Sequence, residues 1–426
     1  MSSDDWDWAD AKTRYLTFGL HDYPARMIPQ IPQRLLQRFL SKSNHGFNSN
    51  SPIVVDPFCG SGAVLTSARL NGFNAFGIDI NPLAKLISEV QATPIDNEFD
   101  SEAKTVRLHI AETGKEKIDD FTDVDVYEFP NSHHWFRIPI LQELSWLRTK
   151  ILSVENDTVR RFLWFCFSTT QFKVSNIDRG SSRFIRAKKT SNSAPHTPRP
   201  LDVFLSTFDS SITQVKVFSE RCSLNNYTNV SIGDARRTEL QDESVDIVVT
   251  SPPYGEERNT LDYMRWSKLS LYWMGMTRKR LLDLKKFALG SKLTHENLSD
   301  NLKLSTSDIN VETPSKTATN VLHAVAREKP KRAQQSVSFF HDFLMMLEEI
   351  ERILVPGAYA CIVVGDRSIS GQSIDMNRVT IELVRKTDLT HVISYTRRIP
   401  RKLIPSWTPT GLTISKENVV VLCKKR

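Results

Sequence analysis

The stretch SPIVVDPFCGSGAVLTSARLNGFNAFGIDINPLAKLISEVQA, residues 51–92, constrains the fold more than any other part of the chain. The apolar run at 53–55 predicts a buried strand, apolar residues at helical spacing follow at 63–70, and NAFGIDI predicts a second strand. Gly72 can end the helix between them. Strand, helix and strand in this order form a βαβ unit, whose strands lie parallel in one sheet. The sequence therefore predicts an α/β fold with a Rossmann-like, doubly wound, mostly parallel sheet.

Two segments of different composition interrupt this sheet. Residues 101–222 place charged and aromatic side chains at helical spacing and predict a mostly helical insertion, whereas 277–335 are polar and predict a variable segment. The sheet is then expected to be shared among residues 1–100, 223–276 and 336–426, where apolar strands recur. Either interruption is a candidate for recognising a target.

Composition and cysteine spacing indicate the class of partner, the cellular location and the kinds of site to expect. The net charge of +7 suits a polyanionic partner. No apolar run approaches the roughly 20 residues that span a bilayer, and the acidic start MSSDDWDWADAK does not resemble a signal peptide, so we expect a cytoplasmic protein without a membrane partner. None of the five cysteines is spaced as C-x-x-C, so neither a metal site nor a disulfide framework is expected.

The loop DPFCGSG, residues 56–62, follows the first strand, where ligands of doubly wound sheets bind. Gly60 and Gly62 allow the backbone to approach a ligand closely, and the next helix offers free N–H groups to an anion. The spacing lacks the third glycine of the dinucleotide fingerprint. S-adenosylmethionine, which would place its α-carboxylate and amino group here, therefore fits better than NAD.

Three acids follow the first three strands of the predicted sheet. Asp56 can hold the amino group of the cofactor, and Asp79, at the end of the second strand, is placed to take ribose hydroxyls. Asp234, in IGDAR after the third strand, can accept a hydrogen bond from the adenine amino group.

The strand VDIVVT runs into Ser251-Pro252-Pro253-Tyr254, where two prolines end the strand rigidly. Together, DPFCGSG and TSPPY resemble the DNA methyltransferases that methylate the exocyclic amino group of cytosine (N4) or adenine (N6). A serine at the first position of the turn is typical of the cytosine-N4 branch. HDYPARMIPQIPQRLL (21–36) resembles the family segment that lines the methionine end of the cofactor, and DYMRWSKLSLYWMG resembles the helix after the catalytic turn.

The resemblance implies a class I methyltransferase fold and a division of the site. Ser251 and the Pro252 carbonyl would accept hydrogen bonds from the target amino group, Pro253 would stiffen the turn, and Tyr254 would stack on a base flipped out of the duplex. The predicted cofactor-binding residues are Tyr23, Pro24, Asp56, Pro57, Phe58, Gly60, Gly62, Asp79, Ile80, Asp234 and Ala235.

The function implied is site-specific methylation of cytosine N4 in double-stranded DNA, as the modification half of a restriction system with a separate endonuclease. No cysteine nucleophile is needed, because methylation of a ring carbon is what requires one. A basic loop at 171–200 is a candidate for phosphate contacts, through Arg179, Arg183, Arg186, Lys188 and Lys189. The alternatives are an adenine-N6 methyltransferase, an RNA base-amino methyltransferase and a non-catalytic nucleic-acid-binding protein.

Overall fold

The structure is a computed structural model. It describes residues 5–24, 26–40, 51–117, 121–178, 185–187, 198–255, 263–291, 310–399, 407–408, 411–412 and 414–426. For 263, 407–408 and 411–412 it describes the backbone alone.

A seven-stranded sheet organises the molecule, in the order β3-β2-β1-β4-β5-β11-β8. Neighbouring strands from β3 to β5 pair in parallel, and β11 pairs antiparallel with both β5 and β8. The described strands are β1 Ile53–Asp56, β2 Asn74–Asp79, β3 Thr228–Ile232, β4 Val245–Thr250, β5 Leu354–Gly365, β6 Arg367–Ile369, β7 Gln372–Ile374, β8 Leu389–Arg398, β9 Trp407–Thr408, β10 Gly411–Leu412 and β11 Lys416–Lys424. The predicted mostly parallel, doubly wound sheet is confirmed.

Helices cover both faces of the sheet and form most of the first insertion. The described helices are α1 Gln30–Leu35, which continues as a π-helical turn over Leu36–Leu40, α2 Ala63–Leu70, α3 Pro82–Ala92, α4 Asn97–Glu116, α5 Ser132–Trp135, α6 Ile138–Leu152, α7 Asp157–Val174, α8 Pro200–Ser219, α9 Tyr263–Trp273, α10 Arg278–Lys285, α11 Lys316–Glu328, α12 Pro330–Ile353 and α13 Met376–Val384. Among the helices described, none is both long and apolar enough to cross a membrane.

Alternation along the central strands separates two layers of the core. Val54 of β1 faces the layer that contains Leu65 of α2, whereas its neighbour Val55 faces the layer that contains Phe343 of α12. Successive side chains of a strand point to opposite faces, so a strand covered on both sides reads as a continuous apolar run.

The helical insertion has its own aromatic-rich core, and α9 is part of it. Phe165 of α7 and Trp146 of α6 are buried in the same cluster as Trp273 of α9. Gln171 of α7 also donates a hydrogen bond from Nε2 to Ser270 Oγ over 2.9 Å. The helix α9, which follows the Ser-Pro-Pro-Tyr turn, is therefore anchored in the insertion, so the insertion is packed against the part of the chain that follows β4.

The polar segment at 277–335 is more regular where it is described than its composition suggests. Leu284 of α10 is buried, and Leu322 of α11 packs in the layer formed by α12. Glu382 of α13 accepts hydrogen bonds from Ser315 and Thr317 at the start of α11, and these bonds lower its pKa to about 2 against the opposing effect of burial. α11 is amphipathic, with Ala318, Leu322 and Val325 buried at helical spacing, so a regular apolar face and a helix cap dock this part of the segment.

Candidate active site

A cleft opens at the carboxyl edge of the sheet, beside β1 and β4. These strands are neighbours, but the chain leaves them towards opposite edges of the sheet, which makes this the topological switch point where ligands of doubly wound folds bind. The cleft has a volume of about 1070 Å³ including its open mouth. Eleven predicted site residues line it: Tyr23, Asp56, Pro57, Phe58, Gly60, Asp79, Ile80, Asp234, Ala235, Ser251 and Pro253.

Asp56 lies at the end of β1 and is held by neutral donors. Its Oδ1 accepts hydrogen bonds from the Thr250 hydroxyl at 2.6 Å and from the Phe58 backbone N–H at 3.0 Å. Burial raises the pKa of Asp56 to about 7, even though these hydrogen bonds oppose the shift. A carboxylate held in this way gains from a cation that binds beside it.

Asp79 fixes the loop that follows β1. Its Oδ2 accepts from the Gly60 N–H at 3.0 Å, and its Oδ1 accepts from the Asn81 N–H at 2.8 Å. Burial raises the pKa of Asp79 to about 6. A Cβ at Gly60 would lie 3.6 Å from the Tyr23 ring, in ordinary van der Waals contact, and a longer side chain would extend from this lining position of the cleft. The φ of +48° at this position also favours glycine.

Gly62 serves packing and does not line the cleft. It begins α2 with φ +81°, and a Cβ there would lie 2.8 Å from Ser88 Cβ and 2.9 Å from Ser88 Cα of α3. Pro24, Pro252 and Tyr254 are likewise outside the cleft lining. The two glycines of the loop therefore have different roles: Gly60 lines the cleft, and Gly62 allows close packing between α2 and α3.

The carboxylate of Asp234 is engaged by a neighbouring arginine. Arg236 contacts both Asp234 oxygens, with Nη2 2.6 Å from Oδ2, and its Nη1 lies 2.8 Å from Asp342 of α12. Asp342 in turn accepts from the Gly290 N–H at 2.7 Å. This network holds residues 287–289 against the cleft, where all three line it.

The Ser-Pro-Pro-Tyr turn follows β4 and lines the same cleft as the glycine loop after β1. Ser251 and Pro253 line the cleft, and the hydroxyls of Ser251 and Tyr254 are 3.2 Å apart. The Tyr254 hydroxyl also donates to Glu417 Oε1 over 3.1 Å. A half-buried serine oxygen at the edge of the cleft has the chemistry of a hydrogen-bond acceptor for a polar substrate group.

The N-terminal segment closes one side of the cleft. Tyr23 is buried, and its hydroxyl accepts from Asn81 Nδ2 at 3.1 Å. The same Asn81 nitrogen donates to Ser267 Oγ of α9 at 2.7 Å. Asn81 therefore joins three parts of the chain that are distant in sequence: the N-terminal segment, the end of β2 and the helix α9 after the Ser-Pro-Pro-Tyr turn.

The basic loop falls largely outside the described residues. Four of its five predicted phosphate-binding residues are outside the described part of the chain: Arg179, Arg183, Lys188 and Lys189. The fifth, Arg186, is exposed and pairs with Ile177 in an isolated β-bridge. The predicted loop at 171–200 is wrong at its start, because residues 171–174 belong to the last turn of α7. That turn contributes Phe172 and Lys173 to a second, smaller cavity that Tyr23 also lines. The start of the loop is thus beside the segment that closes the main cleft.

Cys59 lies in the glycine loop after β1, and its thiol is protonated. It is buried, its Sγ lies 3.6 Å from Ser88 Oγ, and burial raises its pKa well above the usual value. A thiol in this state is a poor nucleophile. In the described parts of the chain, no group of three or more His, Cys, Asp or Glu side chains is placed to hold a metal ion.

Sequence reasoning missed several residues that line the cleft: Arg26, Met27, Asn81, Met264, Phe287, Ala288 and Leu289. One signal was available for the last three, because FAL is a short apolar run within a basic, polar stretch. Arg26, Met27 and Met264 lie within the two segments that carried the family resemblance.

Proteins similar to this chain are named as methyltransferases. Type II methyltransferase M.MvaI of Kocuria varians is 27% identical over 448 residues, which cover 97% of this chain and 92% of that protein. Type II methyltransferase M.BsoBI of Geobacillus stearothermophilus is 23% identical and covers 66% of this chain and 57% of that protein. Type II methyltransferase M.MjaII of Methanocaldococcus jannaschii is 34% identical over 98 residues, 22% of this chain and 17% of that protein.

The comparison with solved structures finds only weak structural similarity. The rRNA methyltransferase aviRa of Streptomyces viridochromogenes covers 96% of this chain, and 89% of its own chain is matched, but the TM-score is 0.33 at 11% identity. Such a score carries no argument about this protein. No protein-family model matches the chain. The chain is similar to one type II methyltransferase over nearly its whole length and to two others over parts of it.

Proposed function

We propose that this chain is an S-adenosylmethionine-dependent DNA methyltransferase that modifies the exocyclic N4 of a specific cytosine, as the modification enzyme of a type II restriction–modification system. One observation carries the proposal: the glycine loop after β1 and the Ser-Pro-Pro-Tyr turn after β4 open on the same cleft. The relatives that match most of the chain bear the name of type II methyltransferases.

The residues present fit S-adenosylmethionine. The cleft is lined by the acids at the ends of β1 and β2, by the acid after β3 and by the glycine loop, groups that can bind an amino group, hydroxyls and a carboxylate. Asp56, whose donors are the neutral Thr250 hydroxyl and Phe58 N–H, can hold the cationic amino group. Asp79 and Ile80, which also line the cleft, would flank the ribose. Bound S-adenosylmethionine supplies an electrophilic methyl group.

The adenine end of this cofactor site is assigned to the loop after β3. Ala235 and the apolar side chain of Leu289 line that part of the cleft, and Asp234 remains an acceptor while Arg236 orients it. Tyr23 and Pro24 would lie at the methionine end. Pro57, Phe58, Gly60 and Gly62 shape the loop between the two ends.

At the target base, the chain supplies hydrogen-bond acceptors in a rigid frame. An exocyclic amino nitrogen is a weak nucleophile because its lone pair is delocalised into the ring. Ser251 Oγ and the Pro252 carbonyl accept from its two hydrogens, and the prolines keep both acceptors in place with little reorganisation. Tyr254 stacks on the flipped base. Correct orientation of two bound reactants is worth roughly 7–11 kcal/mol of a barrier.

Double-stranded DNA would enter along the side of the cleft next to the helical insertion. We assign target recognition to residues 101–222, because α9, which follows the catalytic turn, is anchored in their core and because the basic loop begins beside Tyr23. We propose that the basic loop binds DNA phosphates through Arg179, Arg183, Arg186, Lys188 and Lys189. Such contacts position a duplex without reading its sequence. The segment 277–335 would then serve the cofactor and the sheet, and a restriction endonuclease would act separately on unmodified DNA.

The test is to express the protein in cells and to map modified bases in their DNA, with nucleoside mass spectrometry to identify the base. The expected result is N4-methylcytosine at one short sequence, and unmodified DNA in cells that carry Ser251→Ala. N6-methyladenine would transfer the proposal to the adenine branch, and methylation confined to RNA would replace the DNA substrate. No detectable binding of S-adenosylmethionine by calorimetry would overturn it entirely.

A further inference from the structure

A continuous line of hydrogen bonds leads from the serine of the catalytic turn to a buried ion pair. Ser251 Oγ is 3.2 Å from the Tyr254 hydroxyl, which donates to Glu417 Oε1 over 3.1 Å. The other oxygen of Glu417, Oε2, accepts from Arg397 Nη1 at 3.0 Å. The sequence analysis singled out neither Glu417 nor Arg397.

Tertiary structure brings these four side chains to one edge of the sheet. Glu417 is at the start of β11, opposite Arg397 at the end of β8 and opposite Gly365 at the end of β5. A Cβ at Gly365 would lie 2.7 Å from the Tyr254 ring, so the glycine lets the ring lie against the strand. The hydroxyl of Tyr254 thereby reaches a carboxylate 163 residues away in the chain.

The ion pair is shielded from solvent, as a fixed acceptor requires. Only 6% of the Arg397 side chain and 17% of the Glu417 side chain are exposed. A charge-assisted bond in such surroundings is stronger and better oriented than one between neutral groups in water. Glu417 paired in this way presents acceptors only, since an ionised carboxylate has no proton to donate.

The ionised Glu417 carboxylate determines which hydroxyl donates in each hydrogen bond between Glu417, Tyr254 and Ser251. A tyrosine hydroxyl carries one proton, and that proton is committed to Glu417. The contact between the two hydroxyls is therefore made by the Ser251 proton, with the Tyr254 oxygen as acceptor. Ser251 has then used its only proton and offers lone pairs to the cleft that it lines.

We propose that Glu417 is a positioning residue that, through Tyr254, makes Ser251 an obligatory acceptor and so selects a base that carries an exocyclic amino group over one that carries a carbonyl group. The inference rests on the proposed function, because it concerns the base that enters that site. An amino group donates to Ser251, whereas a carbonyl oxygen would meet only lone pairs. Without the Glu417 carboxylate, the Tyr254 hydroxyl can rotate and donate its proton to Ser251. Ser251 can then donate its own proton to the base as well as accept from it.

The experiment measures binding without cofactor, by fluorescence anisotropy, to duplexes that carry the recognition sequence found by base mapping. The target position holds either the amino-bearing base or its carbonyl analogue (uracil for cytosine, hypoxanthine for adenine). An abasic site lies opposite, so that neither base is paired. Wild type should prefer the amino-bearing base by about tenfold or more, the cost of one unmatched buried polar pair. Glu417→Gln, which keeps the shape of the side chain, should reduce the preference by about threefold or more, and the share that the Pro252 carbonyl contributes should remain.

Tyr254→Phe provides a second route to the same result. It breaks the line but leaves the Glu417–Arg397 ion pair intact, so it remains informative if Glu417→Gln folds poorly in thermal melts. The double variant should discriminate no less than either single variant, because each removes the same constraint. In addition, Glu417→Asp, which keeps a carboxylate, should retain more of the preference than Glu417→Gln.

Thr396→Val is the matched control. It removes a neighbouring hydrogen bond between the same two strands, from Thr396 Oγ1 to Asn418 Oδ1 at 2.7 Å, outside the line to Ser251. It should keep the wild-type preference. If Glu417→Gln and Tyr254→Phe also kept it, or if wild type showed none, the inference would be wrong while a methylating wild type left the proposed function intact. A wild type that methylates no base would instead remove the proposed function.

Discussion

The affinity for S-adenosylmethionine should depend on pH through the buried carboxylates of the cleft. Burial raises the pKa of Asp56 to about 7 and that of Asp79 to about 6, from ordinary values near 4. An acid with a raised pKa stays protonated towards neutral pH. A cationic amino group and hydroxyl donors bind the ionised forms, so the affinity should rise with pH and binding should release protons.

The magnitude follows from the ionised fractions. Between pH 7 and pH 6 the ionised fraction of Asp56 falls from about one half to about one tenth, and that of Asp79 falls from about nine tenths to about one half. The two factors, about fivefold and about twofold, together predict an affinity about tenfold weaker at pH 6.

Calorimetric titrations at the two pH values, repeated in buffers with different ionisation heats, would measure both the affinity and the protons released. Asp56→Asn is the informative variant, because its amide oxygen can still accept from Thr250 and Phe58. It should bind more weakly at pH 7 and keep only the change of about twofold that is due to Asp79. A wild-type affinity that changes by less than about twofold between pH 7 and pH 6 would refute the reasoning.

Four further predictions address separate parts of the site. Ser251→Ala should lower the single-turnover methylation rate by about 100-fold or more while cofactor affinity, measured by calorimetry, stays near wild type; a rate within about threefold of wild type would remove Ser251 from the mechanism. Gly60→Leu should abolish cofactor binding, whereas Gly62→Ala should lower the melting temperature, through strain at positive φ and contact with the next helix; equal effects on both properties would contradict this division. Arg236→Met should raise the KM for the cofactor more than it lowers kcat, since it frees the segment at 287–289; an unchanged KM would place that segment outside the cofactor site. Neutralising three basic residues of the loop at 179–189 should flatten the plot of log affinity against log salt by roughly 2.7 for cognate and random duplexes alike, and an unchanged slope would place the DNA elsewhere.

Much of the cleft could be predicted because its main parts are local in the chain. The glycine loop, the acids that end β1 and β2 and the Ser-Pro-Pro-Tyr turn each combine a short motif with an apolar strand. Parallel strands of a doubly wound sheet all end at one edge, so motifs at strand ends converge without further information. Arg26 lies within the segment at 21–36 that carries the family resemblance, and residues 287–289 form the short apolar run FAL, so a weak local signal existed for both. Asn81 carries no comparable signal, because its role depends on contacts with Tyr23 and Ser267, which are distant in the sequence.

The sequence by itself determined the βαβ unit, the order of strands and insertions along the chain, and the residues at the carboxyl ends of β1, β2 and β4. These features could be predicted because hydrophobic periodicity and turn chemistry act over a few residues. Only the tertiary structure decided that Arg236 and Asp342 hold the segment at 287–289 against the cleft, and that Glu417 meets Tyr254. These contacts join residues 52, 106 and 163 positions apart. The partner of a charged side chain at such separations depends on strand register and helix docking, and neither leaves a local pattern in the chain.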